Sequence, residues 1–164
     1  MRGVLKLIDF GLAHALDRNQ GMVTFPGSVP GSFLFTAPEN FRYFYQDGRQ
    51  VSDFDTSGDE DDDAETHIIL TQKADIWAAG IILYNMVYDG QHPYGTVGGG
   101  RMSKMTALKS HDEVEFPETK FSSSVSNGLY ETIKASLRKD PKERATTQEL
   151  LKMDFLTDPV SFKI

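Results

Sequence analysis

Thr71-Gln72-Lys73-Ala74-Asp75-Ile76-Trp77-Ala78-Ala79-Gly80-Ile81-Ile82-Leu83-Tyr84-Asn85-Met86-Val87-Tyr88-Asp89-Gly90 reads as one helix. The Thr71 hydroxyl can cap its first turn, and Gly90 can take the left-handed conformation that ends it. The interior has no proline, and from Ile76 to Val87 only Asn85 is strongly polar. A helix that is apolar nearly all round is buried or spans a membrane. A span needs roughly 20 apolar residues and this run is shorter, so burial is expected, with other elements packed on every side. Asp75 is then the odd residue, because an acid on the first turn of a buried helix must find donors. Two readings stay open on this stretch alone. Asp75 is either a partner for the helix dipole, worth under ~1 kcal/mol, or an anchor for neighbouring backbone amides.

The 164 residues suffice for one domain with a real core. The net charge of −7 comes from one segment: residues 40–70 hold nine acids against Arg42 and Arg49, and the rest of the chain is neutral. No stretch is strongly basic, which argues against nucleic-acid binding. The chain has no cysteine, so disulfide scaffolds and cysteine-based zinc sites are excluded. A reducing, intracellular setting is compatible with that composition. The first nine residues carry no apolar run of signal-peptide length, and no membrane association is expected.

Taken in order, residues 4–8 (Val-Leu-Lys-Leu-Ile) predict a short strand. Asp9-Phe10-Gly11 follows at once and by itself is a weak signal, compatible with a strand end and a turn glycine. Residues 11–39 read as a loop punctuated by Gly21, Pro26, Gly27, Pro30 and Gly31. A loop of about 28 residues is uncommon in a compact domain unless it is functional. It closes on Gly31-Ser32-Phe33-Leu34-Phe35-Thr36-Ala37-Pro38-Glu39. Phe41, Tyr43, Phe44 and Tyr45 suggest a short packed helix after Glu39. Residues 46–66 are acidic and rich in Ser, Asp and Gly, the composition of a disordered insertion. Calcium binding fails on spacing, since Glu60 and Thr66 stand where an EF-hand starting at Asp55 needs glycine and glutamate. Ser57-Gly58-Asp59-Glu60 fits an acid-directed phosphorylation site. Gly98-Gly99-Gly100 lacks the spacing and the preceding strand of a phosphate cradle and reads as a connection. Residues 102–108, 125–137 and 147–153 supply three further amphipathic helices, the last capped by Thr146 or Thr147 with Glu149 near its start.

Asp9-Phe10-Gly11, a loop, Ala37-Pro38-Glu39, then Asp75-Ile76-Trp77-Ala78-Ala79-Gly80 on an apolar helix resembles the C-terminal lobe of a eukaryotic protein kinase. Leu137-Arg138-Lys139-Asp140-Pro141-Lys142-Glu143-Arg144-Ala145-Thr146 resembles the family's late loop, and the resemblance pairs Arg144 with Glu39. Residues 73–77, 82–88, 113–117 and 150–151 are most similar to the monopolar-spindle checkpoint kinases, dual-specificity enzymes of the kinetochore. Those kinases also carry an insertion before the central helix. Ala37-Pro38 stands where they have paired prolines, Ser32 where they have a threonine, and Gly98-Gly99-Gly100 has no counterpart.

The resemblance implies a mainly α fold built around one buried helix, with a short N-terminal strand and a long activation segment over residues 9–39. It implies a partial kinase domain over residues 1–156, the insertion at 46–66 and a tail at 157–164. Asp9 would ligate Mg2+ on the ATP phosphates, and Ile8 would touch the adenine side. Phe10 would set active against inactive states, with Gly11 as the hinge. Thr24 and Ser28 are candidate activating phosphosites, and Ser32 would face the substrate hydroxyl. Glu39, Asp75, Trp77 and Arg144 would be structural, with Asp75 accepting amides from the catalytic loop.

The N-lobe, the Gly-rich loop, the ATP-pairing lysine and the His-Arg-Asp catalytic loop do not occur in these residues, so no catalytic residue is assigned. The fragment alone is expected to be inactive and to bind Mg2+ and ATP poorly. A non-catalytic interaction module and a truncated gene model are the alternatives. Expected partners are a protein substrate and, with the subfamily, kinetochore proteins. The expected location is intracellular, at the nucleus or kinetochore if the subfamily holds.

Overall fold

The computed structural model describes residues 6–16, 21–26, 32–43, 45–46, 49–50, 67–94, 114, 116–117 and 123–157. The expected helix at 102–108, the glycine run at 98–100, Ser28, Ser57, most of the acidic insertion and the tail beyond residue 157 lie outside the described residues.

The central helix, α1, runs Gln72–Val87, with Thr71 at its N-cap accepting from the Lys73 N–H at 3.3 Å. At the other end the Gly90 N–H reaches back to the Asn85 carbonyl at 2.8 Å. Asp89 and Gly90 there take φ of 50° and 80°, the left-handed exit that glycine adopts at no steric cost.

Helix α1 is not covered all round by the described elements. Ile76, Trp77, Gly80, Ile81 and Tyr84 are buried, while Ile82 and Met86 are 49 % and 77 % exposed. Among the described elements its packing is one-sided, which the uniform apolarity of the helix did not announce. The described partners supply one flank: the helix α2 (Ser123–Ser136) and the 3-10 turn Phe33–Phe35 both lie against it. A Cβ on Gly80 would sit 2.7 Å from the Ser136 Cβ and 2.9 Å from Leu137 Cδ2, so the glycine sets how closely the two helices approach.

The main core joins Trp77, Ile81, Tyr84 and Tyr88 to Leu129, Ile133 and Leu137, with Ala37 and Tyr94 added from the connecting segments. A smaller cluster of Ile76, Ala145 and Leu150 sits under the short helix α3 (Thr147–Leu150). Thr146 caps α3 in a complete capping box with Glu149. A last short helix, α4 (Asp154–Thr157), brings Phe155 against Gly128 of α2, whose added Cβ would lie 3.3 Å from the Phe155 backbone nitrogen. No helix among the described residues is long and apolar enough to cross a membrane.

Three expectations need correction. Residues 6–8 form no strand, and Leu7 and Ile8 are 84 % and 80 % exposed; a strand needs a partner, and no described strand pairs with this one. The stretch read as a loop over 11–39 contains a strand, β1 (Met22–Pro26). The acidic insertion opens with a strand pair, β2 (Tyr45–Gln46) antiparallel to β3 (Arg49–Gln50). Strand β1 pairs antiparallel with β4 (His67–Thr71), in register from Met22 opposite Thr71 to Pro26 opposite His67. The result is a mostly helical structure with small two-stranded sheets, in which β1 ties the segment after Gly11 to the start of α1.

Candidate functional site

Asp9 takes φ 61°, and its Oδ1 accepts the Gly11 N–H at 3.3 Å. Aspartate is one of the few residues that visit this region, because its short side chain can bond the local backbone. The Ala13 N–H closes the next turn on the Phe10 carbonyl at 3.0 Å. Asp9 is exposed, as are Ile8 and, at 67 %, Phe10. Mg2+ demands an octahedron of oxygens. The described residues bring no cluster of three potential ligands together anywhere, and Asp9 is one exposed carboxylate. Mg2+ at phosphoryl-transfer sites is held by one or two carboxylates together with phosphate oxygens and waters, and Asp9 is a carboxylate of that kind.

Downstream, residues 32–36 form a tight turn. The Phe35 N–H bonds the Ser32 carbonyl at 3.1 Å, and the Thr36 N–H bonds Phe33 at 3.3 Å. Phe33 and Phe35 pack partly onto the core, while Leu34 stays 40 % exposed. The 3-10 helix Pro38–Tyr43 follows and carries Glu39 in its first turn.

Glu39 meets Arg144 across the fold. Arg144 Nη1 donates to Glu39 Oε1 at 2.8 Å and Nη2 donates to Oε2 at 2.9 Å, a bidentate pair. The remaining guanidinium donors are also placed: Nε on the Arg138 carbonyl at 2.9 Å, Nη1 on Lys73 at 2.7 Å, Nη2 on Lys139 at 3.2 Å. All five N–H groups therefore have acceptors, which is what a buried guanidinium requires. The Arg144 side chain is fully buried and that of Glu39 is 22 % exposed. The guanidinium carbon lies 5.0 Å from the centre of the Trp77 ring, and Tyr94 stacks on Trp77 at 5.7 Å with 5° between planes. Trp77 thus buries the arginine fork against α1.

A groove of about 360 Å3 runs between these pieces, lined by Leu12, His14, Val23, Ser32, Asn40 and Asp75 among others. It brings Ser32 and Asp75 together. Asp75 is exposed in its wall and takes no hydrogen bond from a described residue. Asn40 is buried, and its Oδ1 has no donor among the described residues. Thr24 is exposed on β1, opposite Ile69. Sequence reasoning missed Lys73, His92 and Asn40. Lys73 and His92 act through hydrogen bonds with backbone groups, which no spacing announces.

The bidentate Glu39–Arg144 pair against the central helix is the contact that the kinase resemblance implied. The family model described as protein kinase domain matches residues 63–156, and the chain belongs to the protein kinase family. Within it the chain is similar to the serine/threonine-protein kinase MPS1 of Saccharomyces cerevisiae, 28 % identical over 158 residues, covering 95 % of this chain and 19 % of that protein. It is 31 % identical over 150 residues to the dual specificity protein kinase TTK of Mus musculus, covering 91 % and 15 %. The serine/threonine-protein kinase atg1 of Aspergillus clavatus is 29 % identical over 157 residues, covering 96 % and 13 %. The chain spans less than a fifth of the length of these relatives. Protein kinases use ATP and Mg2+ and act on protein substrates.

Proposed function

We propose that this chain is the C-terminal-lobe portion of an MPS1-like serine/threonine or dual-specificity kinase, which transfers phosphate from Mg-ATP to protein hydroxyls. In this reading residues 1–156 belong to the kinase domain and residues 9–39 are its activation segment. Residues 46–66 are an insertion and residues 157–164 a tail. Thr24 and Ser28 are the candidate activating sites, and Ser32, which opens the turn over residues 32–36, faces the substrate hydroxyl. Kinetochore partners and a nuclear location go with the subfamily reading.

The observation that carries the proposal is the Glu39–Arg144 lock, because it fixes the end of the activation segment to the helical lobe through a fully satisfied buried fork. The exposure of Leu7, Ile8, Phe10 and Leu12 supports it too, as apolar surface that the rest of a kinase domain would cover. Phosphoryl transfer is mostly positioning and charge stabilisation. The groups that do this in the family, a His-Arg-Asp aspartate, its asparagine and the ATP-pairing lysine, do not occur in these 164 residues. The chain alone is therefore inactive in this reading. The pure chain incubated with Mg-ATP and a generic protein substrate should transfer no phosphate. Transfer that is abolished by Asp9→Ala would overturn the assignment.

A further inference from the structure

We propose that His92 is a positioning residue that sets the substrate-facing turn, residues 32–36, against the lobe. The inference rests on the reading above that this turn meets the protein substrate. His92 Nε2 lies 2.9 Å from the Leu34 carbonyl oxygen, 58 residues away in sequence, and the Tyr94 N–H points at Nδ1 at 3.2 Å. A backbone amide only donates, so Nδ1 is the unprotonated acceptor. A carbonyl only accepts, so Nε2 carries the proton. One tautomer of the neutral imidazole satisfies both contacts, and the partners assign it.

The two contacts link unlike things. Tyr94 is built into the core: it is 2 % exposed, stacks on Trp77, and its hydroxyl donates to the Leu137 carbonyl at 3.4 Å. The turn is closed chiefly on itself, through Phe35 and Thr36 amides and the Thr36 hydroxyl, which donates to the Ser32 carbonyl at 3.3 Å. Those bonds give the turn its shape without fixing its place. Phe33 and Phe35 pack on the core, but apolar contact is non-directional. The His92–Leu34 bond is directional, and it holds the residue whose side chain is exposed at the tip of the turn. Losing it lets the turn shift relative to the helices and its own amide bonds open more often, which raises KM for a protein substrate and spares kcat.

The test has two arms. In the 164-residue chain, nitrogen NMR should show the Nε2–H tautomer at His92. Loss of one directional hydrogen bond in His92→Phe should speed exchange of the Phe35 and Thr36 amides by about three- to tenfold. His92→Gln can place a side-chain N–H near Nε2 and should restore most of the protection. The Nδ1–H tautomer in the native chain, or exchange unchanged in His92→Phe, overturns the inference. If His92→Phe fails to fold, the tautomer and the Gln variant still decide it. In a catalytically competent kinase carrying these residues, His92→Phe should raise KM for a protein substrate several-fold with kcat nearly unchanged, and Gln should reverse most of it. Faster exchange with an unchanged KM would instead mean that residues 32–36 do not meet the substrate, which overturns that part of the proposed function.

Discussion

Lys73 and Arg144 hold each other twice. The Arg144 guanidinium donates to the Lys73 carbonyl at 2.7 Å, and the Lys73 ammonium donates to the Arg144 carbonyl. The exchange joins the first turn of α1 to the loop before α3, so the residue that locks Glu39 is itself fixed at both its backbone and its side chain.

Lys73→Met keeps the aliphatic stem and removes the ammonium. The Arg144 carbonyl then loses a charged donor in a partly buried site. A loss of about 1–2 kcal/mol is expected, within the range for hydrogen bonds to charged groups after allowance for water reaching the carbonyl. Urea unfolding of the two proteins measures it. A change under ~0.5 kcal/mol, the level of ordinary surface substitutions, would mean that the lysine contributes nothing to the lock.

Much of this arrangement is legible in the sequence. Thr71 as cap, the helix body and the Glu39–Arg144 pair follow from residue types and from the order of motifs, because each depends on local chemistry or on a pattern shared across a family. The β1–β4 pairing does not. Met22-Val23-Thr24-Phe25 and His67-Ile68-Ile69-Leu70 are short runs, each too weak to declare a strand, and neither is stable until the other lies beside it. The exposure of Ile82 and Met86 escapes for a different reason. An apolar side chain announces that it can be buried, and only the neighbours decide whether it is. Asp75 was legible as an oddity, an acid on an apolar helix, but the groove it lines was not.

Gly80→Ala should destabilise the chain although alanine is the better helix former. The new methyl would lie 2.7 Å from the Ser136 Cβ and 2.9 Å from Leu137 Cδ2, so α1 and α2 must separate. Overpacking of this kind costs ~1–3 kcal/mol, and the gain in helix propensity offsets at most ~1 kcal/mol of it. A net loss of about 1–2 kcal/mol by denaturant unfolding is expected. A stabilised variant would show that the two helices are not held at this distance.

Acid should weaken the α3 cap. The Thr146 backbone N–H, at 2.7 Å, and then its hydroxyl hold the Glu149 carboxyl below its usual 4.5. A lowered folded value means that the contribution is full above that ordinary value and disappears as pH falls through the folded one. Glu149→Gln should remove this part of the acid dependence. Parallel stability curves for the two proteins from pH 6 down to pH 3 would contradict it.

Alkali should act through Tyr94. Burial pushes its phenol well above the ordinary 10.0, and the Arg144 and Arg138 charges pull it back only in part. The unfolded chain therefore loses the proton first. Stability is full below the ordinary value and falls as pH rises toward the raised one. Tyr94→Phe should flatten the decline above pH ~10. Tyr88 is raised by burial as well, so the variant with both tyrosines replaced should be flatter still. A Tyr94→Phe curve as steep as that of the native chain would place the phenol in water.

The most direct measurement is a double-mutant cycle on Glu39 and Arg144, followed by denaturant unfolding. Arg144→Ala strands a carboxylate that is only 22 % exposed and vacates a fully buried site beside Trp77; breaking a buried pair in this way costs ~3–5 kcal/mol. Glu39→Leu strands the buried guanidinium and should cost a similar amount. The variant with Glu39→Leu and Arg144→Met strands no charge, so it should recover part of the loss and give a coupling of about 1–3 kcal/mol. Additive single losses, or an Arg144→Ala effect within ~0.5 kcal/mol of the native chain, would contradict the account, because the 3-10 helix that carries Glu39 would then be held to the helical core by something other than this pair.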